Sequence, residues 1–348
     1  MRPVHFSRIV GISLVIALCF SCLFSSCTEN PAAESATNTG KKHTVIFDTD
    51  ANNELDDQHA LAYLLFNGDH FNVNGITVNA TKSGGDIDSQ YEEALRIMTL
   101  CEMDGKIPLL KGANSDFTAI KSQVESGQFD GSEAVNFIIA EANKMKREKL
   151  VLLAVGKLTN VALALKKDPT IADHVRIVWL GSNYPDPGEY NQENDTAALN
   201  FVLAQEVPFE IVTVRYGKDS GTDAVRVKKG KIDFEMPGRG PRIAPGITGR
   251  HGGTFKSFGD YSVNLFKHID YHNSAQSRAL FDLAAVAIVK NPNWGQSRTI
   301  AGPQLVEGEW IDQPENNREI KLWEYFNQDE IIADFFNTIK HYKKVAPR

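Results

Sequence analysis

Short apolar runs alternate with longer amphipathic stretches along most of this chain. Val45-Ile46-Phe47 has the length and β-branched content of a buried strand. The period then changes, and Ala60, Leu61, Leu64 and Leu65 recur at helical spacing. Phe71–Asn79 reads as a second strand, closing in a polar loop that runs to Gly85. Gln90–Glu102 is amphipathic through Ala94, Leu95, Ile97 and Met98, and Pro108-Leu109-Leu110 is a short strand. Gly131–Lys146 reads as a helix, and Leu150–Val155 as the most apolar strand. A turn at Gly156–Asn160 leads from it into a helix over Val161–Lys167. Val175–Leu180 and Phe209–Val214 read as strands, the run from Ser277 to Val289 as a helix, and Asp329–Tyr342 as a last amphipathic helix. Strands alternating with helices predict an α/β fold, a mostly parallel central sheet with helices on both faces.

The rhythm fails between Lys228 and His272. Met236–Gly253 carries Pro237, Pro241 and Pro245 among six glycines, followed by Phe255, Phe258 and Tyr261. Structureless stretches of this length inside a compact domain are usually functional loops or disorder, and a lid or subsite loop is expected here.

The N-terminus follows another pattern. Arg2 and Arg8 precede the apolar run Ile9–Phe20, and Leu23-Phe24-Ser25-Ser26-Cys27 resembles a loose bacterial lipobox. Residues 1–26 therefore read as a lipoprotein signal peptide, with a lipid anchor at Cys27 in the bacterial envelope, periplasmic or outer-membrane. Residues 27–42, rich in Ala, Ser, Thr and Asn, read as a flexible tether, and residues 43–348 as one α/β domain. Past the leader only Cys27 and Cys101 remain, so no disulfide framework is expected. The formal net charge is −7, and losing Arg2 and Arg8 makes the body more acidic still. Nucleic acid is thus disfavoured as a partner. Nothing in the sequence decides between a monomer and a homo-oligomer.

Asp48, Asp50, Asp56 and Asp57 lie within ten residues, between the carboxyl end of the first strand and the start of its helix. Open α/β sheets bind their ligands at such places. Like charges this close raise one another's pKa unless a cation is present, and an oxygen-only set suits Ca²⁺ or Mg²⁺. Helix capping by Asp56, with Asp57 in the first turn, accounts for two of the acids at most. The spacing of Asp48, Asp50 and Asn52 starts like an EF-hand loop, but Asn53 and His59 stand where Gly and Glu are needed. A fifth acid, Asp282, sits among Leu280, Leu283 and Ala284, where it needs a cation to be buried at low cost.

Five segments taken in order resemble the nucleoside hydrolase family, the calcium-dependent inosine–uridine type. They are Asp48-x-Asp50…Asp56-Asp57, Gly75-Ile76-Thr77, Val155–Asn160, Glu189-Tyr190-Asn191 followed by Asp195 and Ala197-Ala198, and Asp282-Leu283-Ala284. The resemblance implies that Ca²⁺ is held by Asp50, Asp57, Asp282 and the Val155 carbonyl. Asp50 would also be the general base for a metal-bound water attacking the anomeric carbon. Asp56 and Asn191 would hold ribose hydroxyls with Glu189 beside them, and Asp48 would orient the loop. The implied reaction is hydrolysis of the N-glycosidic bond of a ribonucleoside or related ribosyl compound, through an oxocarbenium-like transition state.

The chain departs from the family pattern at several points. Five residues, Ala51–Leu55, stand between the second and third acids where the family has three, and none is Gly. Asn183 and Asn79 are the available counterparts of two further family asparagines, Asn79 on the substrate. Phe281 takes the place of a leaving-group histidine, leaving a stacking role on the aglycone. Departure of the aglycone is then helped either by a donor among His251, Tyr261 and His268 or, the favoured reading, by a substrate with an intrinsically good leaving group on which Phe281 stacks. Two alternative readings remain. One is an envelope lipoprotein that binds a ribosyl ligand without turnover. The other is a haloacid dehalogenase-type phosphatase, from Asp48-Thr49-Asp50 after a strand, which leaves Asp56, Asp57, Glu189 and Asp282 without a role.

Overall fold

Alternate residues of the central strands belong to opposite hydrophobic cores, so both faces of the sheet are buried. Val45 and Phe47 pack into one core and Ile46 into the other; Val151 and Leu153 share the first, and Leu150, Leu152 and Ala154 the second. A computed structural model describes residues 41–271 and 274–348, which fall in one compact unit, Gly40–Arg348. The leader, Cys27 and nearly all of the tether lie outside the described residues. No described helix is long and apolar enough to cross a membrane.

In chain order the strands are β1 (His43–Thr49), β2 (Phe71–Val78), β3 (Leu109–Lys111), β4 (Leu150–Ala154), β5 (Val175–Leu180), β6 (Phe209–Val212) and β7 (Arg226–Lys228). There follow β8 (Ile247–Thr248), β9 (Thr254–Phe255), β10 (Ser277–Ala279), β11 (Gln296–Ala301), β12 (Gln304–Val306), β13 (Glu309–Ile311) and β14 (Glu319–Glu324). Eight of them form the main sheet in the order β11-β14-β6-β5-β4-β1-β2-β3. All its pairings are parallel except that of β11 with β14. The chain runs outward from β1 through β2 to β3, then returns to place β4 on the other side of β1. This reversal opens a crevice at the carboxyl ends of β1 and β4, the usual ligand site of such a sheet. The expected sheet with helices on both faces is the observed fold.

Two elements differ from the sequence reading. Ser277–Ala279 is a strand, paired antiparallel with Arg226–Lys228, and the helix starts only at Phe281. The pairing overrides local helix preference, and the Leu280 N–H extends it to the Val225 carbonyl at 2.9 Å. The stretch from Lys228 to His272 is also not structureless. It holds the helix Lys229–Glu235, the β8–β9 hairpin and the helix Phe258–His268. Ser257 caps the last of these, which buries Phe258, Tyr261, Ser262, Leu265 and Phe266. The prolines and glycines before it hide a regular helical stripe.

Of this stretch only Tyr271, among the described residues, reaches the wall of the crevice, and the rest stands beside the acidic loop. Arg96 Nε donates to the Thr248 carbonyl at 3.1 Å, Tyr261 Oη to Glu93 at 2.7 Å, and Arg250 Nη1 to the Glu54 carbonyl at 2.8 Å. Through these bonds it buttresses the acidic loop and the helix Ile87–Leu100.

Candidate active site

The loop after β1 turns without positive φ at any of residues 51–55 and therefore needs no glycine. Ala51 and Leu55 point inward and are buried. The Asn53 N–H bonds to the Asp50 carbonyl at 2.9 Å, Asn52 N–H to Gln90 Oε1 at 2.6 Å, and Asn52 Nδ2 to the Gly84 carbonyl at 2.7 Å. His59 Nδ1 meets the Leu55 carbonyl at 2.5 Å, and its Nε2 meets Ser262 Oγ at 2.7 Å. The two extra residues are thus spliced into the fold by their neighbours, and the helix Asp56–Leu65 starts with both acids buried.

Asp48 ends up behind the crevice. Its carboxylate accepts from Thr77 Oγ1 at 2.6 Å, Asn79 Nδ2 at 2.6 Å and Asn160 Nδ2 at 2.7 Å. Burial raises its pKa to about 6 against the pull of these donors. Asn79 lies beside Asp48 and is not among the residues that border the cavity. Asn183 is also away from the cavity; its Nδ2 holds the Pro187 and Gly188 carbonyls, each at 3.0 Å.

Asp56, Asp57 and Asp282 each bring one carboxylate oxygen within 4.8 Å of the others, and all three are buried. Asp50 is buried beside them, with one oxygen accepting from Thr81 Oγ1 at 2.6 Å. Thr49 Oγ1 donates to Asp57. Desolvation raises Asp50 and Asp56 to about 7 and pushes Asp57 and Asp282 well above the usual carboxylate range. Their mutual repulsion adds to the shift, Asp50 acting on each of the other three. For Asp56, the Asp282 and Phe281 amides at the N-terminus of the helix Phe281–Lys290 pull the other way.

The loops after β4 and β5 supply the rest of the wall. A β-carbon at Gly156 would lie 2.8 Å from Asp50 Oδ1 and 2.9 Å from Asn79 Oδ1, so only glycine fits there. Asn191 Nδ2 donates to the Val155 carbonyl at 2.8 Å and the Leu180 carbonyl at 3.1 Å. Glu189 caps the helix Tyr190–Asn194; its Oε2 accepts the Ser182 and Gln192 amides at 2.8 and 2.9 Å, and burial raises its pKa.

Asp50, Asp56, Asp57, Asp282, Val155, Glu189, Asn191 and Phe281 all border one cavity of about 680 Å³. Phe281 meets the Tyr216 ring edge-on, with centroids 5.8 Å apart. His251, Tyr261 and His268 are not in the cavity wall. His251 and His268 stack on each other at 4.7 Å instead, so the proton-donor expectation for all three is corrected. Sequence reasoning missed Tyr216, Tyr271, Arg226 and Arg278, which line the other side. Their only signal is position: Arg278 stands three residues before Phe281, and Tyr216 follows a strand that reaches the crevice.

The family model of inosine-uridine preferring nucleoside hydrolases matches residues 45–333. No curated protein matches the chain. Among solved structures, a plant nucleoside hydrolase superposes with a TM-score of 0.68 at 16% identity, over 86% of this chain and 99% of that one. An inosine-guanosine nucleoside hydrolase gives 0.67 at 16% identity with the same coverage. A purine-preferring ribonucleoside hydrolase from Gardnerella vaginalis gives 0.65 at 19% identity, over 86% and 98% of the two chains. At these identities the structural likeness speaks for the fold, and the family model for the lineage. With most of its length inside that family model, the chain belongs to the inosine-uridine preferring nucleoside hydrolases and is a glycosidase acting on N-glycosyl compounds.

Proposed function

We propose that this chain hydrolyses the N-glycosidic bond of a ribonucleoside at a calcium-holding site. The observation that carries the reading is the gathering of Asp50, Asp56, Asp57 and Asp282 in the wall of one cavity, which Phe281 and Tyr216 also line. An oxygen-only set of this density fits a hard cation. Asp50, Asp57, Asp282 and the Val155 carbonyl would hold Ca²⁺, with Asp56 near enough to share it. When bound, the ion keeps these acids ionised and makes a water more acidic.

Asp50, kept ionised beside the ion, takes the proton of the attacking water. The Thr81 hydroxyl fixes one of its oxygens. Asn191 has both Nδ2 bonds committed to carbonyls, so it offers Oδ1 to a sugar hydroxyl. Asp56 accepts a second hydroxyl, and Glu189 adds negative charge to the wall that faces the developing oxocarbenium. The test is a ribonucleoside panel with calcium and with chelator. Release of reducing sugar with calcium alone is expected, and no release from any riboside overturns the reading. Ribonucleoside bound without turnover would favour the binding-only alternative, which draws on the loss of a proton donor at Phe281.

We also propose that Cys27 carries the lipid anchor. Cys27→Ser should move the protein from the membrane to the soluble fraction, and unchanged partitioning would exclude the anchor.

A further inference from the structure

Charge is divided unevenly along the strand direction of this protein. Residues 1–40 hold two arginines and two glutamates, so the compact unit Gly40–Arg348 carries the whole −7. Because β1 to β4 are parallel, their starts share one end of the sheet and the crevice lies at the other. Lys41 and Lys42 precede β1, and the run before β4 holds Lys144, Lys146, Arg147 and Lys149. Residues 67–70 and 101–108 lead into β2 and β3. The last residues of the chain are pinned beside them. The Gly68 amide donates to the Lys343 carbonyl at 2.6 Å, and the Arg348 amide to the Lys106 carbonyl at 2.8 Å. In the segments 41–42, 67–70, 101–108, 141–149 and 341–348, ten lysines and arginines stand against five acids.

Nearly all of those acids are already engaged. Glu148 pairs with Lys41, Asp69 with Lys343, Glu102 with Lys344, and Glu141 with both Lys144 and Arg348. Lys42, Lys106, Lys146, Arg147 and Lys149 are exposed and have no carboxylate partner among the described residues. Lys106 and Lys149 reach only backbone carbonyls, of Glu102 at 2.7 Å and Asp173 at 2.8 Å. Five uncompensated cations on one end of an acidic body fit an extended anionic surface. The chain itself says which one. It enters the compact unit at this end, and Cys27 stands fourteen residues before Lys41, a span of at most about 50 Å. A lipid on Cys27 therefore keeps anionic headgroups at high local concentration beside these cations.

We propose that this end, from Lys41 and Lys42 across the run before β4 to the C-terminal residues, docks on the anionic headgroups of the membrane that holds Cys27. The proposal rests on the anchor reading above. The same headgroups repel the acids gathered at the far ends of β1 and β4, so attraction and repulsion set one orientation. Docked in it, the molecule stands with its strands pointing away from the lipid, and the crevice opens toward the water from which a soluble substrate arrives.

The test uses the chain from residue 27 on with Cys27→Ser, which keeps the whole compact unit and cannot be acylated. Sedimentation is measured with vesicles of phosphatidylcholine alone and with about one third phosphatidylglycerol. Binding is expected to the second only. It should vanish as salt rises from about 0.1 to about 1 M and the Debye length shrinks from about 10 to about 3 Å. Lys146→Glu with Arg147→Glu should weaken it by about 10- to 100-fold. Lys218→Glu with Lys256→Glu, an equal charge change at exposed cations outside this end, should weaken it by less than about threefold. Equal melting temperatures show that the loss is not unfolding, and should the first pair fail to fold, Lys146→Gln with Arg147→Gln carries the test. For orientation, a fluorophore at Ala346→Cys should be quenched by spin-labelled headgroups and one at Lys218→Cys should not; Cys101 is buried and stays unlabelled. Equal binding to both vesicles, equal losses in both pairs, or retention on heparin without binding to vesicles overturns the proposal. Lipid binding through this end by a protein that cells do not anchor supports the face and sinks the anchor reading alone. An anchored protein whose unacylated form ignores phosphatidylglycerol sinks the face alone.

Discussion

Asp50 has two proposed duties, and single-atom changes separate them. Asp50→Asn keeps an oxygen for the metal but cannot accept a proton, so kcat should fall by about 10²–10⁴ while calcium content is retained. Asp57→Ala and Asp282→Ala each remove an acid from the buried trio, and should lose bound calcium together with activity. Calcium by atomic absorption beside kcat distinguishes the two classes; full calcium in the alanine variants would dismantle the site. A 2′-deoxyribonucleoside should react far more slowly than its ribo counterpart, because the buried polar groups facing the hydroxyl are left unpaired. The acids were legible in the sequence because five carboxylates at strand and helix ends are too many to be caps, and too close to apolar residues to be solvated charges. Arg278 and Tyr216 were not: a lone arginine or tyrosine outside any motif reads as surface. Only the pairing of β10 with β7 and the approach of Glu54 set Arg278 at the cavity wall.

At the level of elements, the acidic loop is shaped by contacts from far along the chain. Arg250 reaches the Glu54 and Asn53 carbonyls at 2.8 and 3.4 Å, so the buttress sets the path of residues that border the cavity. Arg250→Ala should lower kcat/KM by about 10-fold, the scale of a small misplacement of catalytic groups, with little change in melting temperature. Equal kinetics would show that the loop holds itself. Gly156→Ala is the converse case. Its methyl would press on Asp50 and Asn79, so activity should drop sharply even where the protein still folds and binds calcium. Strands β1 to β6 were readable from apolar runs, because a parallel sheet buried on both faces demands them. The helix Phe258–His268 carries an equally regular stripe, but it follows a stretch of proline and glycine that reads as loop. The β7–β10 pairing is decided by tertiary contact, which no window of sequence displays.

At the scale of the molecule, the site sets a pH dependence that calcium should reverse. Asp50, Asp56, Asp57 and Asp282 are all raised in the folded state above the unfolded value near 4. The folded protein therefore binds more protons than the unfolded chain, and without metal its stability falls as pH rises from about 4 through about 7. Calcium takes the place of those protons, so the gain in melting temperature on adding it should be larger at pH 8 than at pH 5. Scans with calcium and with chelator at both values check this; a larger gain at pH 5 would contradict it. The separation of the acids along the chain has a further, kinetic consequence. Asp50, Asp56 and Asp57 come early and Asp282 late, and they meet only where β1, β4 and the helix Phe281–Lys290 converge. An ion that grips only the finished assembly offers no help to a chain still climbing its folding barrier. It acts as a latch on the way out, lengthening the dwell time in the native state. Stopped-flow denaturant jumps should find that calcium slows unfolding in proportion to its affinity and leaves the refolding rate where it was.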